Sequence, residues 1–366
     1  MQVIFTNLYK ANNNRKKILN KIKQLIKNNE FVGSEEVKKF EKDFAKFLNM
    51  KYCVSVGNGT DAIEIAIESL NLKKGSEIIV PVNTWIATAE PVIRSGHKLV
   101  FCDIDLDDYT LNIQDLNKKI SKNTKAIIPV HLYGHPAKMN EIIKLAKKNN
   151  IKIIEDCAQA HGTKYNKRHV GTFGDIGAFS FFPSKNLGAY GDGGAIVTNN
   201  KLLAKKCFQI RNHGSLNKYD HELVGRNSRM DSIQAGILRI KMRNFLDKIK
   251  KKKVLAKIYY KELLDVKEIN LPFQKKGTFH SYHQFVVRLE NRDKLRRHLK
   301  KNKIGTMIHY PYMLNELKFF KKNKRLLSLK NSKNLGGKLL SLPITEEHSI
   351  NEIKYVSRKI KDFFKS

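Results

Sequence analysis

Residues 52–70, Tyr52-Cys53-Val54-Ser55-Val56-Gly57-Asn58-Gly59-Thr60-Asp61-Ala62-Ile63-Glu64-Ile65-Ala66-Ile67-Glu68-Ser69-Leu70, pass from one kind of regular structure to another within a few positions. Tyr52–Val56 reads as a strand, the glycines of Gly57-Asn58-Gly59 as a turn, and Asp61–Leu70 as a helix. The exchange continues downstream. Glu77–Val80, Lys98–Asp103, Lys125–Pro129 and Ile151–Glu155 read as strands, with helical stretches at Ala87–Ser95 and Met139–Asn149. Strands without polar alternation are buried on both faces. Their alternation with helices predicts an α/β fold whose mostly parallel sheet is covered by helices on both sides.

Two amphipathic stretches precede this region. Ile18, Ile22, Leu25 and Ile26 are spaced as on one helix face, and Val37, Phe40, Phe44 and Phe47-Leu48 follow Gly33-Ser34 in the same manner. After Gly171 come two further strands, Ile176–Phe182 and Gly194–Thr198, joined by the Gly-rich loop Pro183–Gly193. A helix at Lys201–Ile210, a polar stretch Arg211–Arg229 and a long helical pattern from Asp231 to Leu264 follow. The last hundred or so residues hold one strong strand, Tyr282–Leu289, a helix Asp293–Lys301, the segment Ile304–Tyr310 and two closing helices, as in a smaller α+β domain. With 366 residues and a prior of ~150 per domain, two domains are expected: 1–245 with the N-terminal helices, and 246–366.

The composition, 41% hydrophobic and 28% charged, is that of a globular protein. The formal charge of +36 invites a nucleic-acid reading. The excess is nearly all lysine, however, spread from Lys10 to Lys365, and runs such as Lys248–Lys253 read as solvated helix faces. No nucleic-acid partner is expected, though the charge helps to steer an anionic substrate. Cys53, Cys102, Cys157 and Cys207 stand far apart without a C-x-x-C pair, which argues against a zinc ribbon or disulfide framework. With no signal peptide and no apolar run near the ~20 residues of a spanning helix, a soluble cytoplasmic protein with no membrane partner is expected.

Three segments carry chemistry. Ser180-Phe181-Phe182-Pro183-Ser184-Lys185-Asn186-Leu187-Gly188 puts a lysine in a loop after a buried strand. Read alone, Lys185 is either a solvated loop residue or an amine nucleophile made usable by desolvation. Glu155-Asp156-Cys157-Ala158-Gln159-Ala160-His161 puts a carboxylate at the carboxyl end of a strand, where open α/β sheets bind ligands; the bland reading is a helix cap. Together, an aspartate that keeps a pyridine nitrogen protonated and a lysine that forms an imine are what pyridoxal phosphate needs. Val54–Ala62 adds a strand–Gly–helix turn suited to an anion, a common feature by itself. Trp85, the only tryptophan, follows a strand and is either a stacking surface for a flat ring or a core residue. His131, His135, His161 and His213 lack thiol or carboxylate partners at zinc-like spacing, so no metal is expected.

In this order the segments resemble the DegT/StrS-type nucleotide-sugar aminotransferases, pyridoxal-phosphate enzymes of the aspartate aminotransferase fold (fold type I, with a seven-stranded sheet). The resemblance runs through Gly57–Ala62, Pro81–Thr88, Pro129–Pro136, Glu155–His161, Gly171–Asp175, Ser180–Gly194, Arg211–Gly214, Gly225–Asp231 and His309–Pro311. It implies that Lys185 bonds the cofactor aldehyde and then moves the proton between substrate carbon and cofactor. It further implies that Asp156 pairs with the pyridine nitrogen, Gln159 hydrogen-bonds near the ring hydroxyl and Trp85 stacks on the ring. Gly59, Thr60 and Ser180 would hold the phosphate, and Asn227 would reach the phosphate in the neighbouring subunit's site, which implies a homodimer. His309 and Tyr310, and more loosely Tyr190, would border the sugar.

Relatives that carry histidine at the lysine position remove a hydroxyl; Lys185 favours transamination, with L-glutamate as the usual donor. Lys185-Asn186-Leu187-Gly188-Ala189-Tyr190-Gly191-Asp192-Gly193-Gly194 resembles members that act on C3 of a keto-hexose, with C4 members as the alternative. Trp85 and Phe181-Phe182-Pro183-Ser184 depart from some thymidine-linked C3 members, so the nucleotide is UDP or dTDP. A sugar dehydratase and a non-catalytic basic nucleic-acid-binding protein are the remaining readings.

Overall fold

The computed structural model describes residues 1–10, 14–320 and 329–365. Its first half contains α1 (Arg15–Lys27), α2 (Glu35–Leu48), β1 (Tyr52–Val56), α3 (Gly59–Ser69), β2 (Glu77–Pro81), α4 (Glu90–Arg94), β3 (Lys98–Cys102), α5 (Ile113–Lys119) and β4 (Thr124–Ile127). There follow α6 (Met139–Lys148), β5 (Lys152–Asp156), the short β6 (Lys164–Tyr165) and β7 (Arg168–His169), then β8 (Ile176–Ser180) and β9 (Gly194–Thr198). The remainder holds α7 (Lys201–Arg211), the hairpin β10 (Ser215–Asn217) and β11 (Asp220–His221), α8 (Ser232–Met242) and α9 (Phe245–Leu263). The chain closes with β12 (Thr278–Phe279), β13 (Phe285–Arg288), α10 (Arg292–Lys301), α11 (Lys330–Leu335), β14 (Leu339–Leu342) and α12 (Ile350–Lys365).

Seven strands form the main sheet in the order β1-β9-β8-β5-β4-β2-β3. The pairs β8–β5, β5–β4, β4–β2 and β2–β3 are parallel, and β9 runs antiparallel to both β1 and β8. The mostly parallel α/β sheet expected from the strand texture is therefore present. Successive residues of a strand point to opposite faces, and both faces here are covered. Ile78, Val80, Ile154, Ile176 and Ala178 join a core with Ile63, Ile65 and Ala66 of α3, whereas Ile79, Ile153, Phe179, Ala195 and Val197 join a core with Phe40 and Phe44 of α2 and Leu238 of α8.

A third core gathers Leu255, Tyr259 and Leu263 of α9, Phe285 and Val287 of β13, Leu295 and Leu299 of α10, Leu340 and Leu342 of β14, and Ile353 and Val356 of α12. Val3 belongs to it too, its amide donating to the Lys303 carbonyl, while Met313, Leu314, Phe320 and Leu335 pack into the first core. The chain thus crosses between the two regions more than once.

The structure departs from the sequence reading at several elements. The helix expected over Ala87–Ser95 is a single tight turn at Ile86–Thr88 followed by the five-residue α4. The helical pattern from Asp231 to Leu264 breaks at Arg243-Asn244 into α8 and α9, although apolar residues recur across the break because Phe245 is itself buried. The strand expected at Tyr282–Leu289 is shorter, Phe285–Arg288, and its partner β14 had no counterpart in the reading. Helix α5, capped by the Asn112 side chain on the Asp115 amide, buries only Leu116 and so leaves a weak apolar signal.

Candidate active site

Because β2, β4, β5 and β8 are parallel, their carboxyl ends lie along one edge of the sheet, and each leads into a segment that contributes to the same place. β5 ends on Asp156, β8 ends on Ser180 just before the lysine loop, β2 leads to Trp85, and β4 leads to the turn containing Tyr133.

Asp156 is buried. Its Oδ2 accepts from Thr88 Oγ1 at 2.8 Å and its Oδ1 from the Ala158 amide at 3.0 Å. Each oxygen keeps a lone pair for a further donor. Lys185, in the loop after β8, is half-buried, and its backbone amide donates to the Phe182 carbonyl at 2.8 Å. Burial pushes the Lys185 amine down to about 8, against the opposing pull of the Asp156 carboxylate. Gln159 is fixed from both ends: its Oε1 accepts from the Tyr133 amide at 2.8 Å and its Nε2 donates to Tyr310 Oη at 2.7 Å. The Tyr310 ring lies 5.4 Å from the Trp85 ring, and burial pushes the Tyr310 phenol up. Trp85 itself is 58% exposed, a surface setting rather than the core reading. Tyr133 Oη donates to the His309 carbonyl, and His309 Nδ1 is 2.8 Å from Ser341 Oγ.

Beside these groups stands the start of α3. The Asn58 side chain caps it by accepting from the Asp61 amide at 2.8 Å. A Cβ on Gly59 would fall 2.5 Å from Ser180 Cβ, so only glycine lets this helix approach the end of β8 so closely. Gly59, Thr60 and Ser180 thus sit at a helix N-terminus, whose amides and dipole favour an anion.

The structure therefore brings Lys185, Asp156, Gln159, Trp85, His309 and Tyr310 to one place, with Gly59, Thr60 and Ser180 at its flank. Tyr190 lines the same cavity of about 380 Å³ as Lys185 and His309, with the Lys241 amine 4.5 Å above its ring. Asn227 is exposed, and its carboxamide oxygen accepts from Arg229 Nε at 3.0 Å. Its neighbour Ser228 instead secures the turn before α3, accepting from the Gly57 amide at 3.0 Å and donating to Asp61 at 2.6 Å. Sequence reasoning assigned no role to Thr88, Tyr133 or Ser228. All three lie inside motifs that carry the family resemblance, but their partners are distant in sequence.

Among the described residues one buried trio, His131, Glu155 and Cys157, has metal-ligand composition. The lone pairs of His131 and Glu155 are already used, and burial pushes the Cys157 thiol up. His131 Nδ1 accepts from the Ala137 amide at 3.0 Å, which puts the ring proton on Nε2, 3.0 Å from Glu155. Glu155 also accepts from the amides of Gly171, Phe173 and Gly174 at 2.6–2.8 Å, so it ties down a loop.

A lysine loop, a buried carboxylate at the carboxyl edge of a mostly parallel sheet, and a helix N-terminus beside them define a pyridoxal-phosphate enzyme of fold type I. The chain belongs to the DegT/DnrJ/EryC1/StrS aminotransferase family, whose model matches residues 12–361. It is 38% identical to a UDP-N-acetyl-3-dehydro-alpha-D-glucosamine 3-aminotransferase of Acidithiobacillus ferrooxidans over 95% of this chain and 94% of that one. It is also 38% identical to a dTDP-3-amino-3,6-dideoxy-alpha-D-galactopyranose transaminase of Aneurinibacillus thermoaerophilus, over 95% and 96%. The crystal structure of S. venezuelae DesV in complex with a ketimine intermediate superimposes with a TM-score of 0.97 at 35% identity, covering 100% of this chain and 99% of that one.

The lowered Lys185 value has a direct consequence. In the cofactor-free protein, trace acetylation of Lys185 rises with pH through a midpoint near 8, below the ~10.4 of an ordinary lysine. Asp156→Asn removes the charge that favours the ammonium and moves the midpoint lower still. A midpoint near that of surface lysines would contradict the desolvated setting.

Proposed function

We propose that this aminotransferase transfers an amino group from L-glutamate to C3 of a UDP- or dTDP-linked keto-hexose, forming a nucleotide-activated amino sugar for glycan or O-antigen synthesis. The observation that carries this reading is the meeting of Lys185 and Asp156 at the sheet edge beside the N-terminus of α3. The C3 assignment is supported by the two relatives named above, both named for 3-amino or 3-keto sugars, and by the loop Lys185–Gly194. The intact Lys185 argues against the dehydratase reading, and the net charge is the only support for a nucleic-acid role. A C4-aminotransferase remains the second reading, since it needs the same lysine and carboxylate.

Pyridoxal phosphate, when bound, withdraws electrons from the carbon that bears the transferred nitrogen. The protein supplies the rest. Lys185 would bond the cofactor aldehyde and, once released, its amine would move the proton between the substrate carbon and the cofactor, an exchange favoured by an affinity near working pH. Asp156, oriented by Thr88 and the Ala158 amide, would keep a ring nitrogen protonated. Gln159, held by the Tyr133 amide, would donate near the ring hydroxyl, Trp85 would cover the ring, and Gly59, Thr60 and Ser180 would hold the phosphate. His309, Tyr310 and Tyr190 would border the sugar.

Asn227, exposed beside Ser228, is proposed to complete the phosphate site of a partner subunit in a homodimer. The proposed domains are 1–245 and 246–366. Among the described residues no helix is long and apolar enough to cross a membrane, and all four cysteines are free, which supports a cytoplasmic setting.

Purified protein offered a panel of 3-keto and 4-keto nucleotide sugars is expected to convert glutamate to 2-oxoglutarate one-for-one with a 3-amino product, identified by mass spectrometry and NMR. Turnover confined to 4-keto sugars would replace C3 by C4. For the shared site, Lys185→Ala and Asn227→Ala subunits, each impaired alone, are expected to regain activity when mixed, because one site of the hybrid dimer is intact. No gain in a mixture proven to contain hybrids would remove Asn227 from the partner's site.

A further inference from the structure

The run Lys248–Lys253 is not a uniformly solvated face. Lys250, Lys251 and Lys253 are exposed, but Lys252 is only 3% exposed and lies on the same side of α9 as the buried Phe245, Ile249, Ala256 and Tyr259. An amphipathic helix would ordinarily place an apolar residue there, because a buried ammonium loses its hydration. Its partner is the residue next to the reactive lysine: Lys252 Nζ donates to Asn186 Oδ1 at 2.8 Å. Asn186 in turn donates from Nδ2 to the Ser281 carbonyl at 3.3 Å, which links the loop to the segment before β13. Burial pushes the Lys252 amine down to about 8, against the opposing charge of Glu346 and Glu347 in the stretch before α12.

The loop is tied at other points. A Cβ on Gly188 would fall 2.3 Å from the Pro183 carbonyl oxygen, so the loop closes on itself around Lys185. The Gly188 carbonyl accepts from Lys241 Nζ of α8 at 2.6 Å. The turn bearing the reactive amine is therefore held by lysine amines of two helices, Lys241 of α8 and Lys252 of α9.

We propose that Lys252 is a positioning residue for the transamination: by holding Asn186 it fixes the backbone beside Lys185 so that the amine meets the cofactor aldehyde and the substrate carbon in register. A neutral side chain of similar length would fill the space and lose the hold. This proposal rests on Lys185 being the amine that condenses with pyridoxal phosphate, and the experiment separates the two ideas.

Apo protein is mixed with pyridoxal phosphate, the reaction is quenched with borohydride at intervals, and the rate of adduct formation at Lys185 is measured in wild type, Lys252→Met, Asn186→Ala and the double variant. Thermal melting confirms that each variant folds. Each single variant is expected to form the adduct roughly tenfold more slowly, with kcat reduced and KM for the sugar little changed, as for a misplaced reacting group. The double variant is expected to be no slower than either single one, because both remove the same link. Wild-type rates in Asn186→Ala or in a folded Lys252→Met, or effects that multiply in the double variant, would overturn the proposal. Should Lys252→Met fail to fold, Asn186→Ala decides alone. No adduct at Lys185 in wild type would defeat the underlying functional reading instead.

Discussion

A lysine amine withdrawn from water beside a buried carboxylate is the constraint around which the rest of this molecule is arranged. Burial favours the neutral amine and Asp156 favours the charged one, and the two effects leave Lys185 near 8. Either alone would serve the chemistry badly: an exposed lysine stays protonated at neutral pH, and a fully desolvated one without a carboxylate nearby would seldom return a proton. Thr88 and the Ala158 amide keep Asp156 oriented, so the balance is built into the fold.

The sheet makes this meeting possible. Parallel strands deliver their carboxyl ends to one edge, and burial on both faces keeps that edge rigid. Asp156 aligns with Ala178 on the adjacent strand, two residues before Ser180, so the carboxylate, the Ser180 flank of the α3 N-terminus and the lysine loop inherit their spacing from strand register. Gly59 and Gly188 show the same economy of space. In each, a methyl group would strike a neighbour, Ser180 in one case and the Pro183 carbonyl in the other.

Much of this was legible in the sequence, for physical reasons that also explain what was not. Strands buried on both faces leave continuous apolar runs, so β1 and β9 were read to the residue. Lys185, Asp156, Trp85 and the glycines stood out because they sit at strand ends in settings that a surface residue does not need. The break between α8 and α9 left no gap in the apolar pattern because Phe245 is buried at it. Thr88, Tyr133 and Ser228 act through partners 68, 26 and 167 positions away, distances at which local spacing carries no information. Lys252 was hidden inside a run of like residues. Only the helix phase distinguishes it from its exposed neighbours, and a stripe that includes a lysine reads as its polar edge.

The decisive property of this protein is the site at which the cofactor is captured. Holoenzyme reduced with borohydride and digested should yield a pyridoxyl-labelled peptide carrying the modification at Lys185, and in Lys185→Ala that label should vanish without moving elsewhere. Stoichiometric labelling at another lysine in the wild type, with Lys185 unmodified, would contradict capture at Lys185.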